Sequence, residues 1–232
     1  MANYVPQVNE TTAPQAFDGP VSVGGGQVSG GPVGPSDVAL KTWNFPSYMC
    51  TGTATFSVAG SVYLSMVHLA ANTTYSNIYV NVLANGGTAT TGSNFAGIYN
   101  SAGTLVASTG DLSGPLGTGA GSTKLLTFPL ATALTTGTSS APYYVGMFFN
   151  ASGTASFPVL AGIAGQTAAN SLGTLAGQIG NCGGLTSGAA PAAAAPFPFA
   201  AIATTSGTAL PASFVLGSAG TTGAQCFWTA LA

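Results

Sequence analysis

Along residues 76–84 the chain alternates strictly, with Ile78, Val80 and Val82 on one side and Asn77, Tyr79 and Asn81 on the other. A two-residue period sends successive side chains to opposite faces of a strand, so this stretch predicts a β-strand with one buried face and one polar face. The same period runs through Ala141–Phe149, where Tyr143, Val145, Met147 and Phe149 share one face and Tyr144, Gly146 and Phe148 the other. Further strands are predicted at 53–58, Ser61–Leu69, 124–130 and 156–161. Residues 94–100 and 104–108 form a hairpin about Ser101, Ala102 and Gly103. Strand character returns at 199–204, 212–216 and 225–231.

Short strands at about 8–12-residue spacing, separated by turns rich in Gly, Ser and Thr, predict an all-β fold: an antiparallel β-sandwich, jelly-roll-like. Its expected extent is residues 43–232. The interval 162–198 reads as a long loop with a short helix near 168–179, since its glycines weaken any longer helix. Residues 1–42 read as an extended arm, because Pro6, Pro14, Pro20, Pro32 and Pro35 and the runs Gly24-Gly25-Gly26 and Gly30-Gly31 forbid regular helix and interrupt strands. Tyr4, Val5, Pro6 and Phe17 are the arm residues expected to make attachment contacts.

Charge narrows the function more than any motif does. Only six of the 232 residues are charged: Lys41, Lys124, Glu10, Asp18, Asp37 and Asp111. An ordinary soluble domain is about one-quarter charged. Two isolated lysines exclude nucleic-acid binding, which needs clustered cations against phosphate, and exclude electrostatic capture by a membrane. No stretch offers the roughly 20 unbroken apolar residues of a membrane span, and the alanine run at 189–203 is broken by prolines. The opening Met-Ala-Asn-Tyr-Val-Pro-Gln lacks the basic start and apolar core of a secretion signal. With 46% apolar residues the chain buries a core of ordinary size, and its surface is then built of Ser, Thr, Asn, Gly and Ala. At a net charge of −2 such a surface has little repulsion to hold copies apart, so assembly with itself or with a larger particle is expected.

Catalytic chemistry finds few tools. His68 is the single histidine, and Asp111 is the single acidic side chain after residue 40. A histidine-assisted nucleophile needs an orienting carboxylate, and glycoside hydrolysis normally uses two carboxyl groups. Neither set is evident, so no enzyme activity, no metal and no cofactor is expected. Cys50, Cys182 and Cys226 show no Cys-x-x-Cys spacing. They read as buried small apolar residues, with one disulfide plus one leftover thiol as the alternative. Aromatic rings offer stacking faces for sugars without needing charge. Tyr79, flanked on its polar strand face by Asn77 and Asn81, is the leading candidate for ligand binding.

Five blocks carry a family resemblance. They are Val67-His68-Leu69-Ala70-Ala71-Asn72-Thr73-Thr74-Tyr75-Ser76-Asn77-Ile78, the run from Phe95-Ala96-Gly97-Ile98-Tyr99 to Ala107, Ala141-Pro142-Tyr143-Tyr144-Val145-Gly146-Met147-Phe148-Phe149, Leu210-Pro211-Ala212-Ser213-Phe214, and Cys226-Phe227-Trp228-Thr229-Ala230-Leu231. Together, over about residues 55–232, they resemble the β-sandwich domains of tail and fibre proteins from phages of actinobacteria. The blocks are strands and turns, so the resemblance transfers no functional residue. It implies a virion structural protein, oligomeric and exposed on the particle surface. The expected partners are further copies of the chain (a homotrimer), other virion proteins reached through the arm, and a host-surface glycan. A capsid decoration protein or head fibre anchored by the arm is the alternative, and a bacterial surface adhesin or lectin is the second alternative.

Overall fold

The computed structural model describes residues 22–23, 26–27, 34–50, 52–55, 59–117, 124–151, 157–164, 199–203, 207–214 and 225–232. The chain forms two compact units, 1–33 and 34–232. In the first, β1 (Ser22–Val23) and β2 (Gly26–Gln27) pair antiparallel, with Ser22 opposite Gln27. The second is an all-β sandwich of two antiparallel sheets, as the strand pattern predicts.

One sheet is built on β5 (Ser61–Leu69) and β10 (Ala141–Phe149), which pair along their whole lengths from Ala141 opposite Leu69 to Phe149 opposite Ser61. β12 (Phe199–Ala203) borders β5, while β7 (Phe95–Tyr99) and then β8 (Leu105–Ser108) continue beyond β10. The other sheet is centred on β6 (Thr74–Ala84), with β9 (Lys124–Thr135) along one side. Along its other side lie β14 (Thr229–Leu231) and β11 (Val159–Ala164). β3 (Thr42–Trp43) pairs with β14, and β4 (Gly52–Thr55) and β13 (Gln225–Phe227) pair with β11.

The main core lies between the sheets. Val67, Leu69, Val145, Met147 and Ile98 face Ile78, Val80, Val82, Phe128 and Leu160, and all are buried. The alternation at 76–84 is borne out: Ile78, Val80 and Val82 are at most 1% exposed, whereas Asn77, Tyr79 and Asn81 are half-buried. The β5 sheet carries a second, smaller core on its outer face, made by Val62, Leu64, Tyr99, Tyr144 and Phe148. Leu210 and Phe214 pack over it. Gly146 sits in this outer row, and a methyl group there would meet the Tyr99 ring at 2.8 Å, so glycine is what lets the ring lie flat on the sheet.

The hairpin about Ser101–Gly103 also forms as expected. Gly103 takes φ +78°, a conformation that costs glycine little, and its N–H donates to the Asn100 carbonyl at 2.9 Å. Asn100 Oδ1 accepts from the N–H groups of Ala102 and Thr104, each at 3.0 Å.

Several boundaries differ from the sequence expectation. β9 runs five residues past 130, to Thr135, because its pairing with β6 shifts register between Tyr75 and Asn77 and then resumes. β11 begins at Val159 rather than 156 and extends to Ala164. Of the strand expected at 212–216, residues 212–214 are described, and they make only an isolated bridge from Ser213 to Thr104. That stretch crosses the outer face of the β5 sheet rather than joining a ladder. Residues 34–42, expected in the arm, belong to the sandwich unit. Leu231 O accepts from Lys41 N at 2.8 Å, and Thr42 lies opposite Leu231. Proline and glycine there shape a strap rather than a linker. The arm residues Tyr4, Val5, Pro6 and Phe17, the proposed helix near 168–179, and Cys182 lie outside the described residues.

Candidate functional site

Cross-strand register decides which side chains share the outer face of the β6 sheet. Tyr79 is opposite Thr127 of β9 on one side and Ala230 of β14 on the other, and Ala230 is opposite Trp43 of β3. Trp43 and Tyr79 therefore stand in one row, two strand spacings or about 10 Å apart, with only the methyl group of Ala230 between them. Asn81 is opposite Leu125, and Asn77 opposite Pro129. The outer face of β6 and β9 is thus uncharged, a column of two amides and a phenol beside Leu125, Thr127 and Pro129.

The strap 34–50 raises walls on this face. A 3-10 turn at Pro35–Val38 is closed by the Asp37 carboxylate, which accepts from Gly34 N at 2.7 Å, and by Ala39 in the left-handed region at φ 58°. A second 3-10 turn, Ser47–Met49, follows. Asn44 pins the strap down. Its Oδ1 accepts from the Thr229 N–H at 3.1 Å, and its Nδ2 donates to Phe227 O at 2.7 Å and to Ser65 Oγ at 2.8 Å. Trp228 falls at the break between β13 and β14. It is 4% exposed, and its indole N–H donates to Phe45 O at 2.9 Å.

Strap and sheet together enclose a groove of about 370 Å³. Trp43, Tyr79, Trp228 and Leu125 supply its apolar surface, and Asn81 and Ser47 its polar side chains. Among the described residues no charged side chain lines it. Among the described residues the Asn81 amide, the Tyr79 hydroxyl and the Ser47 hydroxyl have no hydrogen-bond partner, leaving donors and acceptors free in an apolar setting. Leu125 is 59% exposed and Val38 51% exposed at the rim. Cys50, also in the lining, is a free thiol whose pKa burial pushes up to about 11, so it stays protonated at neutral pH.

The sequence reading placed Tyr79 and Asn81 correctly on one face, and both line the groove. Asn77 stands on that face farther along β6, outside the lining. Trp43, Ser47, Leu125 and the strap were missed as site residues. One signal pointed to them: the chain has only two tryptophans, and both prove to be in this groove.

His68 and Asp111 lie outside the groove lining. His68 is exposed on β5, opposite Pro142, and its carbonyl accepts from Thr42 Oγ1 at 2.9 Å. Asp111 is occupied with holding a loop. Its carboxylate accepts from Gly92 N at 2.9 Å, Asn94 N at 3.2 Å and Ser113 N at 3.3 Å, and from the Ser113 hydroxyl. Slight burial raises its pKa, but the hydrogen bonds from Ser113, Gly92 and Asn94 outweigh that and hold it below the ordinary 3.8. Among the described residues no three His, Cys, Asp or Glu side chains gather as a metal site. No helix among them is long and apolar enough to cross a membrane. A smaller cleft of about 290 Å³ lies between β8 and β9, lined by Leu105–Ser108 with Ala131 and Thr132. Compared with models of known protein families and with curated proteins, the chain matches none.

Proposed function

We propose that this chain is a non-enzymatic structural protein of a phage particle, displayed on the virion surface as a tail-fibre or tail-tip module that meets a host-surface glycan. The observation that carries the reading is the uncharged outer face of the β6 sheet, where aromatic rings and free amide and hydroxyl groups stand without a charged side chain among the described residues of the groove lining. Such a face recognises by shape, stacking and neutral hydrogen bonds. The scarcity of charge supports assembly as a homo-oligomer, since two cations and four acids offer little repulsion between copies, and a trimer is the assembly proposed. Attachment to other virion proteins falls to residues 1–33, the unit that precedes the sandwich.

Immunogold electron microscopy tests the placement, using antibodies raised against residues 43–232 on virions from the source lysate. Gold at the tail is expected. Gold over the head would make the protein a capsid decoration or head fibre. Unlabelled particles, with the protein found on a bacterial surface instead, would replace the phage reading with an adhesin. Removing residues 1–33, rather than 1–42, is expected to abolish incorporation while leaving a folded sandwich. The shorter cut matters because 34–42 is hydrogen-bonded into the sandwich through Lys41, Thr42 and β14.

A further inference from the structure

The groove on the β6 sheet combines three properties that jointly restrict its ligand. Its apolar surface includes aromatic rings that are held in place: Trp228 is fixed by its hydrogen bond to Phe45 O, and Trp43 is set by the β3–β14 ladder. The polar groups among its lining side chains, on Asn81, Tyr79 and Ser47, are free to bond a ligand. Its described lining has no charge of either sign.

Each property removes a ligand class. An anionic ligand finds no cation in the lining. A purely apolar one, such as an acyl chain, would cover the amide and the hydroxyls without satisfying them, which is unfavourable. A neutral molecule with an apolar face and a rim of hydroxyls meets all three conditions, because C–H faces stack on aromatic rings while hydroxyls both donate and accept. The volume of about 370 Å³ falls within the roughly 300–1,000 Å³ of small-molecule sites and suits a short ligand.

We infer that this groove is a binding site for a short neutral saccharide, which stacks on Trp43 and Tyr79 and hydrogen-bonds through its hydroxyls to Asn81 and Ser47. The inference rests on the glycan part of the proposed function and gives that function a location. A second copy of the chain that met the apolar rim through its own apolar side chains would leave the Asn81 amide covered and unpaired. The saccharide is therefore the occupant that the polar groups favour.

The chain carries its own reporter. Because Trp43 and Trp228 are its only tryptophans, all tryptophan emission comes from the groove. The full-length protein is titrated with neutral mono- to tetrasaccharides of glucose, galactose, mannose and N-acetylglucosamine while that emission is followed. A saturable change with at least one of them is expected. Asn81→Ala is expected to weaken that affinity by roughly tenfold, the loss of about one good hydrogen bond. Tyr79→Phe, which keeps the ring, should weaken it less. Val106→Ser on the distant β8 edge should leave it unchanged. Both groove positions are half-exposed, and unchanged urea midpoints would confirm that the variants fold.

No response to any neutral saccharide overturns the inference, as does a response that survives Asn81→Ala intact. Sedimentation run in parallel gives a third way to overturn it. Self-association abolished by Leu125→Ser, with no saccharide response, would assign the groove to a contact between copies. The two readings fail separately. Tail labelling by immunogold with a silent groove removes the site and leaves the virion placement. Saccharide binding with unlabelled particles does the reverse.

Discussion

The outer faces of the two sheets are built from the same strand geometry and end differently. On the β5 sheet the outward row of Val62, Leu64, Tyr144 and Phe148 is completely buried, beneath a cover that includes Leu210 and Phe214. On the β6 sheet the outward row of Asn77, Tyr79 and Asn81 stays partly open, and a strap builds a groove over it instead of sealing it. The difference lies in the residues and not in the backbone. A strand that is apolar on both sides must be covered on both sides, whereas one that alternates with amides is able to face solvent or a ligand. One face of the sandwich is therefore sealed by its cover, and the other stays partly open.

The largest break in that contrast comes from the sealed face. Phe148→Ala removes a fully buried ring and is expected to cost about 3–5 kcal/mol. Tyr79→Ala on the open face is expected to cost no more than ~1 kcal/mol, because the side chain is half-exposed already. Urea denaturation of the two variants side by side measures the gap. Equal losses would mean that the β6 face is a sealed core as well.

Gly103 gives the next effect down. Its φ of +78° disfavours any side chain, and an added methyl group would run into the carbonyl oxygen of Phe214. Gly103→Ala is expected to cost about 2 kcal/mol, combining backbone strain with displacement of the cover. Limited proteolysis should show new cleavage near 210–214, since Phe214 N donates to Gly103 O at 2.9 Å and that link would be strained. An unaltered digest with unaltered stability would mean that the cover does not depend on this turn.

Asp111 tests neither face but the loop beside them, and its effect is smaller. Asp111→Asn removes the charge and turns one of the two acceptor oxygens into a donor, so a loss of about 1 kcal/mol near neutral pH is expected after allowing for solvent screening. The sign of its pH dependence follows from the lowered pKa. The stabilisation is fully present above the unfolded value near 3.8 and is lost as the pH falls through the lower folded value. The variant should therefore show a flatter acid limb in its stability profile below about pH 4. An acid limb identical to that of the parent would mean that Asp111 does not carry this dependence.

How much of this was legible in the sequence depended on whether the signal was local. The period-2 alternation at Ile78, Val80 and Val82 needs no partner to be read, and the strands at Ser61–Leu69 and Ala141–Phe149 agree with expectation to the residue. The turn at Ser101–Gly103 was equally local. The groove was half legible: Tyr79 and Asn81 announced a polar face, but the residues that complete the site approach from elsewhere in the chain. Trp43 and Trp228 are brought together by β3 pairing with β14, a register that no short window contains. The strap 34–50 was hidden for a different reason. Pro35 and Gly34 look like a linker when read alone, and only the bonds from Lys41 N to Leu231 O and from Asn44 to Phe227 and Thr229 turn them into a wall. The second core was present in the apolar identity of Val62, Leu64 and Phe148, yet the cover over it makes a single bridge and no ladder, so strand patterning alone could not find it.

The smallest effect is the finest test of the sealed face. Tyr144 is fully buried there, and its hydroxyl has no hydrogen-bond partner among the described residues. Burial pushes its pKa up to about 12, which means that the fold favours the neutral phenol. The stability linked to it is present below the ordinary value of 10.0 and is lost as the pH rises from there through about 12. Tyr144→Phe deletes a polar group that gains nothing from burial, so the variant is expected to be unchanged or more stable by up to ~1 kcal/mol at neutral pH. It should also lose less stability between neutral pH and pH 11 than the parent. Part of the alkaline loss should remain, because burial raises the Tyr99 phenol too while its hydroxyl donates to Pro211 O at 3.1 Å. Chemical denaturation at the two pH values reads both effects. A variant less stable than the parent by more than ~1 kcal/mol would show that the hydroxyl is hydrogen-bonded in the folded protein. The outer face of the β5 sheet would then hold a paired polar group beneath its cover, and the contrast between the two faces would be one of access rather than of chemistry.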